Sequence, residues 1–392
     1  MPSAASRTPL PKDTQPATVP SGVLDAQGML SALARLEKHG SNGRFECQVD
    51  SVPAGAWDKI ASEFDDLNYD QIACYSAGQW GERVSHLLLH REGVPVAGAR
   101  AAIIALPGFS RGLAFLRFGP FWRPRGQAPD IAMYRAAIGA IVQEYCIRRG
   151  HCLTVIPRPN PEFYQRECDV LAGFGFSVRR RVPDPNRYLV DLSLDEETQK
   201  QSLEQKWRYN LRQALGHDFE IRLGESEADV CTFQSLHAGM VTRKGFYNAD
   251  MVHLLPELAA QLPEGSRPRI VLAFHQGRAV VGAAIAVLGD TAYYVFGGSD
   301  SASLSLKGGY ALQWWIIRWL SAQKVRWYDL GGEAGEEGLR QFKKGLAGKR
   351  GAVVRMNGEY DYWTRTSARL MGDAIYGLRG VRRIIRRWRY GG

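Results

Sequence analysis

The sequence predicts a mixed α/β fold made of two tandem domains of one kind, each a mostly antiparallel sheet with flanking helices. The main observation is a hairpin, LLLHREGVPVAGARAAII (87–104), that recurs as VLAFHQGRAVVGAAIAVL (271–288) with its glycines at the same spacing. Each copy continues into an aromatic strand that ends at glycine, LAFLRFGP (113–120) and TAYYVFGG (291–298). Two copies of one supersecondary pattern indicate an internal repeat of α/β class.

Each repeat then leads through a helix into a buried strand. These elements are expected at Asp130–Arg149, LTVIP (153–157), Lys307–Gln323 and VRWYDL (325–330). We therefore predict one domain at 46–192 and a second at 193–362.

The composition of the chain indicates what kind of protein it is. Residues 1–24 are rich in Pro, Ser, Thr and Ala without apolar periodicity and are predicted to be disordered. The N-terminus has no apolar signal segment, and no run of about 18 apolar residues occurs, so we expect a cytoplasmic protein without a transmembrane helix. The six cysteines contain no CxxC pair and are expected to be reduced core residues.

Residues 363–392 are predicted to form a basic amphipathic helix. From Arg365 onward the chain carries eight arginines against the single acidic residue Asp373, so this segment holds +7 of the net charge of +10. Apolar residues recur there at helical spacing: Leu370, Ala374, Leu378, Val381, Ile385 and Trp388. Such a helix suits the anionic surface of a membrane, to which the protein would bind peripherally. Contact with tRNA and packing on the body are the alternatives.

The second domain is expected to begin with a basic helix. Ser193 and Glu196 fit a capping box at its start. Its apolar stripe consists of Leu203, Trp207, Leu211, Ala214 and Leu215. Lys206, Arg208 and Arg212 flank this stripe and are candidates for binding an anionic substrate. Basic side chains that only cover a core helix are the alternative.

Several catalytic classes lack their motifs in this chain. There is no GxSxG, HExxH or Walker A motif, and the eight histidines are isolated. The hairpin glycines do not form a dinucleotide-binding pattern, and no residue cluster predicts a metal site, so no tightly bound cofactor is expected. The catalytic class that remains is group transfer in which the protein positions the two reactants. An amine and an acyl carbonyl are held together, and fixed hydrogen-bond donors or a cation stabilise the oxyanion.

The segment WYDLGGEAGEEGLRQFKKGLAG (327–348) is the best candidate for such a centre. Its candidate residues are Asp329, Gly331, Gly332, Glu333, Phe342 and Lys343. The two glycines allow an abrupt turn with exposed amides after a strand, and a short helix then returns the lysine. The lysine can neutralise a developing oxyanion, and one of the two carboxylates can orient or deprotonate the amine. A solvated loop with balancing charges is the alternative.

Four motifs follow one another in the second half: K-x-R-x-x-L-x-x-A (206–214), GGSD (297–300), YDLGG (328–332) and GLRQFKKGLAG (338–348). The first half adds YSAGQWGERV (75–84), RFGPFW (117–122) and VIPRPN (155–160). In this order the motifs resemble the FemABX group, the peptidoglycan bridge-forming aminoacyltransferases and related acetyltransferase-like proteins of the GNAT superfamily.

The resemblance implies two tandem GNAT-like domains that transfer an acyl or aminoacyl group to an amine. It implies that Phe342 and Lys343 form the family's FK motif beside the reacting carbonyl. It also implies substrate contacts from Lys206, Arg208, Gln79 and Trp80. The implied acceptor is a lipid-linked or nucleotide-linked envelope precursor, and the donor is aminoacyl-tRNA or acyl-CoA.

Three functions are therefore carried forward. The first is amide-bond formation on an amine of a cell-envelope precursor of the peptidoglycan type. The second is an N-acyltransferase that takes acyl-CoA and acts on an amino sugar or polysaccharide. The third is a non-catalytic envelope scaffold that recruits partners through its arginine-rich end. The nearly neutral body offers no clustered track of cations for tRNA, which leaves the donor open.

Overall fold

The structure, a computed structural model, describes residues 45–75, 83–182, 184–244, 252–323, 325–333 and 335–390, with side chains in the last helix described as far as Leu378. The segment 1–24 and the cleft candidates Gln79 and Trp80 lie outside the described residues. None of the helices in this part of the chain combines the length and the apolar composition that crossing a membrane requires.

The strands of the described residues are β1 Phe45–Val49, β2 Val84–Arg91, β3 Val94–Ala105, β4 Gly112–Arg117, β5 Cys152–Ile156, β6 Ser177–Arg180, β7 Asn186–Asp191, β8 Phe219–Gly224, β9 Arg269–His275, β10 Arg278–Leu288, β11 Thr291–Ser299, β12 Trp327–Asp329, β13 Ala352–Arg355 and β14 Glu359–Tyr362. The α-helices are α1 Ala54–Ala61, α2 Ile131–Ile141, α3 Tyr164–Gly173, α4 Glu196–Ser202, α5 Gln205–Leu215, α6 Glu227–Lys244, α7 Leu255–Gln261, α8 Ser301–Ser305, α9 Gly308–Ala322, α10 Glu337–Ala347 and α11 Thr366–Tyr390. Helix α2 continues as a π-helix over Val142–Arg148.

The strands form two seven-stranded sheets of the same design. The first has the order β1-β2-β3-β4-β5-β14-β6, and the second, read from the other edge, β8-β9-β10-β11-β12-β7-β13. In each sheet three antiparallel pairs lead to one parallel pair, β4 with β5 and β11 with β12. The predicted class, two like α/β domains with mostly antiparallel sheets, is confirmed.

The repeated hairpins have the same turn. Gly93 and Gly277 have φ of 78° and 75°, and Glu92 and Gln276, which precede them, have φ of 54° and 51°. Two left-handed residues in succession make the turn whose twist matches that of antiparallel strands, which explains the glycine at this point. The turn explains Gly93 and Gly277, whereas Gly98 and Gly282 lie within β3 and β10, where a Cβ would come within 2.3 Å of Phe121 and 2.8 Å of Leu272.

The domain boundaries differ from those predicted at two strands. Strand β7, assigned from the sequence to the domain at 46–192, pairs with β12 and β13 in the second sheet. Strand β14, assigned to the domain at 193–362, returns to the first sheet and pairs with β5 and β6. The sixth strand of each sheet thus comes from the other half of the chain: β14 in the first sheet and β7 in the second. This exchange of strands joins the two domains.

The basic helix predicted after Ser193 is two helices. Asp195, rather than Ser193, caps α4 by accepting a hydrogen bond from the amide of Thr198 at 2.9 Å. The chain breaks at Leu203 and restarts as α5 at Gln205. Most of the predicted apolar stripe is buried, but Leu215 is 56% exposed.

A buried apolar cluster joins the two halves. It combines Trp57 and Phe121 of the first half with Phe233 and Tyr293 of the second. The cysteine expectation holds only in part: all six thiols are free, but Cys47 and Cys231 are exposed and Cys74 is half-buried.

The last helix packs on the first sheet with its N-terminal part. Ala368 and Ile375 are buried, and a Cβ on Gly372 would lie 2.9 Å from Cys152 Sγ. Asp373 of the same helix accepts hydrogen bonds from Arg179 and Arg180. The described residues of the predicted apolar stripe face away from the body: Leu370 is 63% exposed, Leu378 is 51% exposed, and Ala374 between them is also exposed. The side chains of the other stripe residues, Val381, Ile385 and Trp388, lie outside the described part. Packing on the body and an exposed apolar face therefore coexist on opposite sides of α11.

Candidate active site at the end of strand β12

The segment predicted as the transfer centre lies where β12 ends beside the beginning of β7. The two strands are antiparallel, with Asp329 opposite Leu189, and the amide of Leu330 donates to the carbonyl oxygen of Tyr188 at 2.8 Å. The turn after β12 therefore runs alongside the first residues of β7. This pairing brings two distant parts of the sequence into one cluster.

Asp329 has both carboxylate oxygens occupied. Its Oδ2 accepts a hydrogen bond from Arg187 Nη2 at 2.9 Å, and its Oδ1 accepts one from the amide of Gly331 at 2.8 Å. Asp329 is 2% exposed and Arg187 7% exposed. Burial alone would lower the pKa of Arg187, but Asp329 raises it above its usual value. Asp329 thus fixes the turn and holds a buried guanidinium.

Lys343 reaches back from α10 to the same turn. Its side chain is buried, and Nζ donates a hydrogen bond to the carbonyl oxygen of Gly332. Gly331 has φ of +80°, and a Cβ there would lie 3.5 Å from Lys343 Nζ. A Cβ on Gly332 would lie 2.5 Å from Asp184 Cβ. Both glycines are required, the first by its backbone conformation and the second by close packing.

The ammonium group of Lys343 is poorly compensated. Burial and, as a smaller effect, Arg187 together lower the pKa of Lys343 to about 8, against the opposing effects of Asp329, Asp184 and Glu333. A lysine with this pKa is mostly protonated at neutral pH. It is mostly uncharged once the pH is about one unit above the pKa. Among the described residues no carboxylate pairs directly with Lys343, so this buried cation is available to stabilise a developing negative charge.

The first half of the chain contributes residues that the sequence patterns did not reveal. Tyr69 lies close enough to Arg187 to raise the pKa of that guanidinium, which also lies 5.4 Å from the centre of the Phe118 ring. Asp70 is buried and pairs with Arg117 at 3.7 Å. Burial raises the pKa of Asp70, against the lowering effects of Arg117 and Arg187. Only the strand pairing connects Arg187 to Asp329, and no local motif marks either Tyr69 or Asp70.

The other predicted residues of the segment have separate roles. Glu333 accepts hydrogen bonds from Tyr188 Oη and, at 3.2 Å, from Asn186 Nδ2. Phe342 is partly buried and packs against the edge of the core, with its ring centre 5.8 Å from that of Trp207 and 5.0 Å from that of Tyr310. Phe342 thus anchors α10, while the next residue faces the site.

The basic residues of α5 are not joined to this cluster. Arg208 donates to the carbonyl oxygens of Gln201 and Leu203, so its guanidinium closes the end of α4. Lys206 and Arg212 are exposed, and nothing in the described part of the chain links them to Lys343 by a hydrogen bond or an ion pair. Within the same residues, no three His, Cys, Asp or Glu side chains converge as a metal site requires.

Known proteins resemble the chain in sequence over one segment and in fold over most of its length. Residues 199–344, which include Lys343 and the turn after β12, match the acetyltransferase (GNAT) domain family. No curated protein is significantly similar to the chain in sequence. Among solved structures, FemX superposes with a TM-score of 0.66 at 13% identity, covering 82% of this chain and 99% of its own.

Two further structures share the fold. The C-terminal domain of a putative lysylphosphatidylglycerol synthetase from Agrobacterium fabrum has a TM-score of 0.54 at 12% identity and covers 82% of this chain and 97% of its own. A conserved protein of unknown function from Bacteroides thetaiotaomicron has a TM-score of 0.54 at 11% identity, covering 81% of this chain and 99% of its own. The match of residues 199–344 to a GNAT acetyltransferase domain supports a transferase, and the tandem fold is like that of FemX.

Proposed function

We propose that the chain transfers an acyl or aminoacyl group to an amine of a cell-envelope precursor, with Lys343 at the centre. The observation that carries this proposal is the buried Lys343 ammonium, which is held against the Gly331–Gly332 turn and forms no ion pair with a carboxylate in the part of the chain that the structure describes. FemX and the putative lysylphosphatidylglycerol synthetase domain have the same fold, which supports envelope chemistry as the setting.

The proposed reaction needs no covalent intermediate on the protein. The acceptor amine attacks the carbonyl carbon of an ester or thioester donor, a C–N bond forms, and the carbonyl oxygen becomes an oxyanion. The C–O or C–S bond to the leaving group then breaks, and the proton lost by the amine ends on that leaving oxygen or sulfur. Lys343 stabilises the oxyanion, and the low-dielectric surroundings strengthen this interaction.

The carboxylates divide between two tasks in this proposal. Asp329 positions the turn and Arg187, since both of its oxygens are already engaged. Glu333 is half-buried and oriented by Tyr188 and Asn186, so we assign to Glu333 the role of holding or deprotonating the acceptor amine. Asp329 is thus a positioning residue and Glu333 the candidate base.

A second candidate, an acyl-CoA donor, is favoured by one observation. Strand β11 pairs with β12 only through Thr291–Tyr293, and in the described residues no strand continues the ladder beside 294–299 on that side. Backbone amides along a gap between diverging strands can hydrogen bond with the amides of an extended thioester arm. The acceptor in this case is an amino sugar or polysaccharide amine.

The exposed face of α11 supports peripheral binding to an anionic membrane. Leu370, Ala374 and Leu378 form an apolar stripe away from the body, on a helix rich in arginine. Replacing Leu370 and Leu378 by Ser is expected to reduce co-sedimentation with vesicles of anionic phospholipid about tenfold or more. Equal binding to neutral vesicles, or no change in the double variant, would remove this part of the proposal.

Mass spectrometry of envelope precursors tests the proposed reaction. Cells that lack the protein should lose one amide-linked acyl or aminoacyl adduct, and the native chain should restore it. The Lys343→Met chain should not restore it, whereas Lys344→Met should, because Lys344 is the exposed neighbour on the same helix. Purified protein given acyl-CoA or aminoacyl-tRNA separately then identifies the donor. An unchanged set of precursors would favour the scaffold alternative.

A further inference from the structure

We propose that Arg117 binds an anionic group, a carboxylate or a phosphate, of the substrate whose amine is acylated at Lys343. This inference rests on the proposed function and adds to that function a requirement for a negatively charged acceptor. Arg117 is the last residue of β4, in the first half of the chain, whereas Lys343 belongs to the second half. A substrate that contacts both residues therefore bridges the two halves.

The main observation is that the hydrogen-bond donors of Arg117 are open to solvent. Its Nε lies 3.7 Å from Asp70 Oδ2, which makes an ion pair but is too long for a hydrogen bond. The Arg117 side chain is 42% exposed, and among the described residues none of its nitrogens is both buried and without a partner. Two parallel N–H groups of a guanidinium match the two oxygens of a carboxylate or phosphate. An anion can therefore bind Arg117 without displacing Asp70.

The second observation is that the Phe118 ring connects Arg117 to the Lys343 cluster. The guanidinium carbon of Arg117 lies 4.8 Å from the centre of this ring, and that of Arg187 lies 5.4 Å from the same centre. Arg187 is hydrogen bonded to Asp329 and, together with burial as the larger effect, lowers the pKa of Lys343. Arg117 is thus an accessible cation on the first-half side of the cluster that contains Lys343.

The third observation is a strained backbone directly after Arg117. Phe118 has φ of +51°, in the left-handed region that bulky residues rarely adopt. Such a conformation costs about 1–3 kcal/mol and occurs mainly at functional sites. The amide of Phe118 donates to the carbonyl oxygen of Ile156 at 2.8 Å, and Gln71 Nε2 donates to the carbonyl oxygen of Arg117 at 2.8 Å. These hydrogen bonds fix the backbone from which the Arg117 side chain projects.

The charges around Arg117 favour an anion. Burial raises the pKa of Asp70, and three guanidinium groups lower it: those of Arg117, Arg187 and Arg100. Arg187 and Arg100 each have a second carboxylate nearby, whereas in the described part of the chain Asp70 is the carboxylate that pairs with Arg117. One carboxylate shared among three cations leaves positive charge at the accessible one. This charge attracts a negatively charged group of a substrate and repels a cationic one.

Chemical modification of the full-length protein tests whether Arg117 binds an anion. Phenylglyoxal reacts with accessible guanidinium groups, and mass spectrometry of peptides gives the rate at each arginine. Inorganic pyrophosphate is the phosphate probe and N-acetylglycine the carboxylate probe. At about 10 mM, at least one probe should slow the reaction at Arg117 about fivefold or more, and the more protective probe identifies the group. Arg111, the exposed residue that precedes β4, is the control and should not be protected.

Two substitutions separate substrate binding from the support of Asp70. Arg117→Lys keeps a positive charge beside Asp70 but loses the paired donors, so its urea midpoint should stay near that of the native chain. Its KM for the acceptor should rise about tenfold while kcat changes by less than about threefold, because the contact is made before and during transfer alike. Arg117→Gln should raise this KM at least as much, and Arg111→Gln should leave it unchanged.

Either of two results would overturn the inference: no protection of Arg117 by either probe, or a native KM in both Arg117 variants. Protection is measured without a donor, so it does not depend on transfer. A chain in which a probe protects Arg117 but which transfers no group keeps the anion site and loses the proposed function. A chain that transfers with native KM in both variants keeps the proposed function and loses the anion site.

Discussion

Two clusters of buried charge join the halves of this molecule, and the pKa values of their cations are shifted in opposite directions. At Asp290, the Arg123 and Arg158 guanidinium groups approach the carboxylate to 2.6 and 3.4 Å. Burial alone would lower the pKa of Arg158, but Tyr293 and Asp290 raise it well above its usual value. At the other cluster, burial and Arg187 lower the pKa of Lys343 to about 8.

The difference follows from where the carboxylates are engaged. Burial would raise the pKa of Asp290, but Arg158 and Arg123 lower it below its usual value, so that cluster is mutually stabilising. In the Lys343 cluster, Asp329 is already taken by Arg187 and the Gly331 amide, and Lys343 Nζ contacts a carbonyl oxygen. We call the Asp290 cluster matched, because its buried cations are paired with a carboxylate, and such a cluster stabilises the contact between domains. We call the Lys343 cluster unmatched, and a buried cation of this kind is a candidate for binding a negatively charged group.

The largest effect is expected on stability at the matched cluster. Asp290→Asn leaves two buried guanidinium groups without their carboxylate, so the free energy of unfolding should fall by about 3–5 kcal/mol. Urea denaturation measures this. Asp65→Asn is the control, because the Asp65–Arg125 pair at 3.8 Å is largely exposed and should matter by less than about 1 kcal/mol. Equal losses in both variants would mean that burial at Asp290 is not what distinguishes the clusters.

At the Lys343 cluster, the expected loss is of transfer activity and not of stability. Lys343→Met is expected to lower the rate of transfer about 10²–10³-fold, the usual cost of removing one oxyanion-stabilising group, without lowering the unfolding free energy. Steady-state rates and urea denaturation of the same preparation measure the two quantities. Lys344→Met, the exposed neighbour, should retain native values of both. A Lys343→Met chain that unfolds more easily and transfers normally would make Lys343 a structural residue.

The sequence revealed the repeat and the Lys343 turn but not the other half of the site. The glycine spacing in the hairpins reflects a local turn, which is readable from the chain itself. Arg187 and Tyr69 reach the site only because β7 joins the second sheet and the halves pack together, and both are long-range consequences of strand pairing. The resemblance groups Phe342 with Lys343 as one FK motif, yet consecutive helical residues point about 100° apart, so Phe342 packs against the core and Lys343 faces the turn after β12.

The pH dependence of the transfer rate and of stability tests the role of the Lys343 cation. If the protonated form of Lys343 is required, the rate should fall about tenfold per pH unit above its pKa of about 8. The folded pKa lies below the unfolded value of about 10.4, so the unfolded chain binds more protons between these limits and stability should rise with pH across that window. Urea denaturation from pH 7 to 11 measures this, with Lys343→Met as the control that should lack the rise. A rate that does not fall between pH 7 and 9.5 would contradict a cationic role.

The smallest effect tests whether the core and the site are separable within α10. Phe342 packs on Trp207 and Tyr310, and its neighbour Gly345 lies against Trp207, where a Cβ would come within 2.9 Å of the indole ring. Phe342→Leu should therefore cost less than about 1.5 kcal/mol of stability, because volume is largely kept, and leave the transfer rate within about threefold of native. Denaturation and steady-state rates of this variant measure both. A large loss of rate at native stability would instead mean that the Phe342 ring acts on the substrate, and that the phenylalanine–lysine pair functions as one unit.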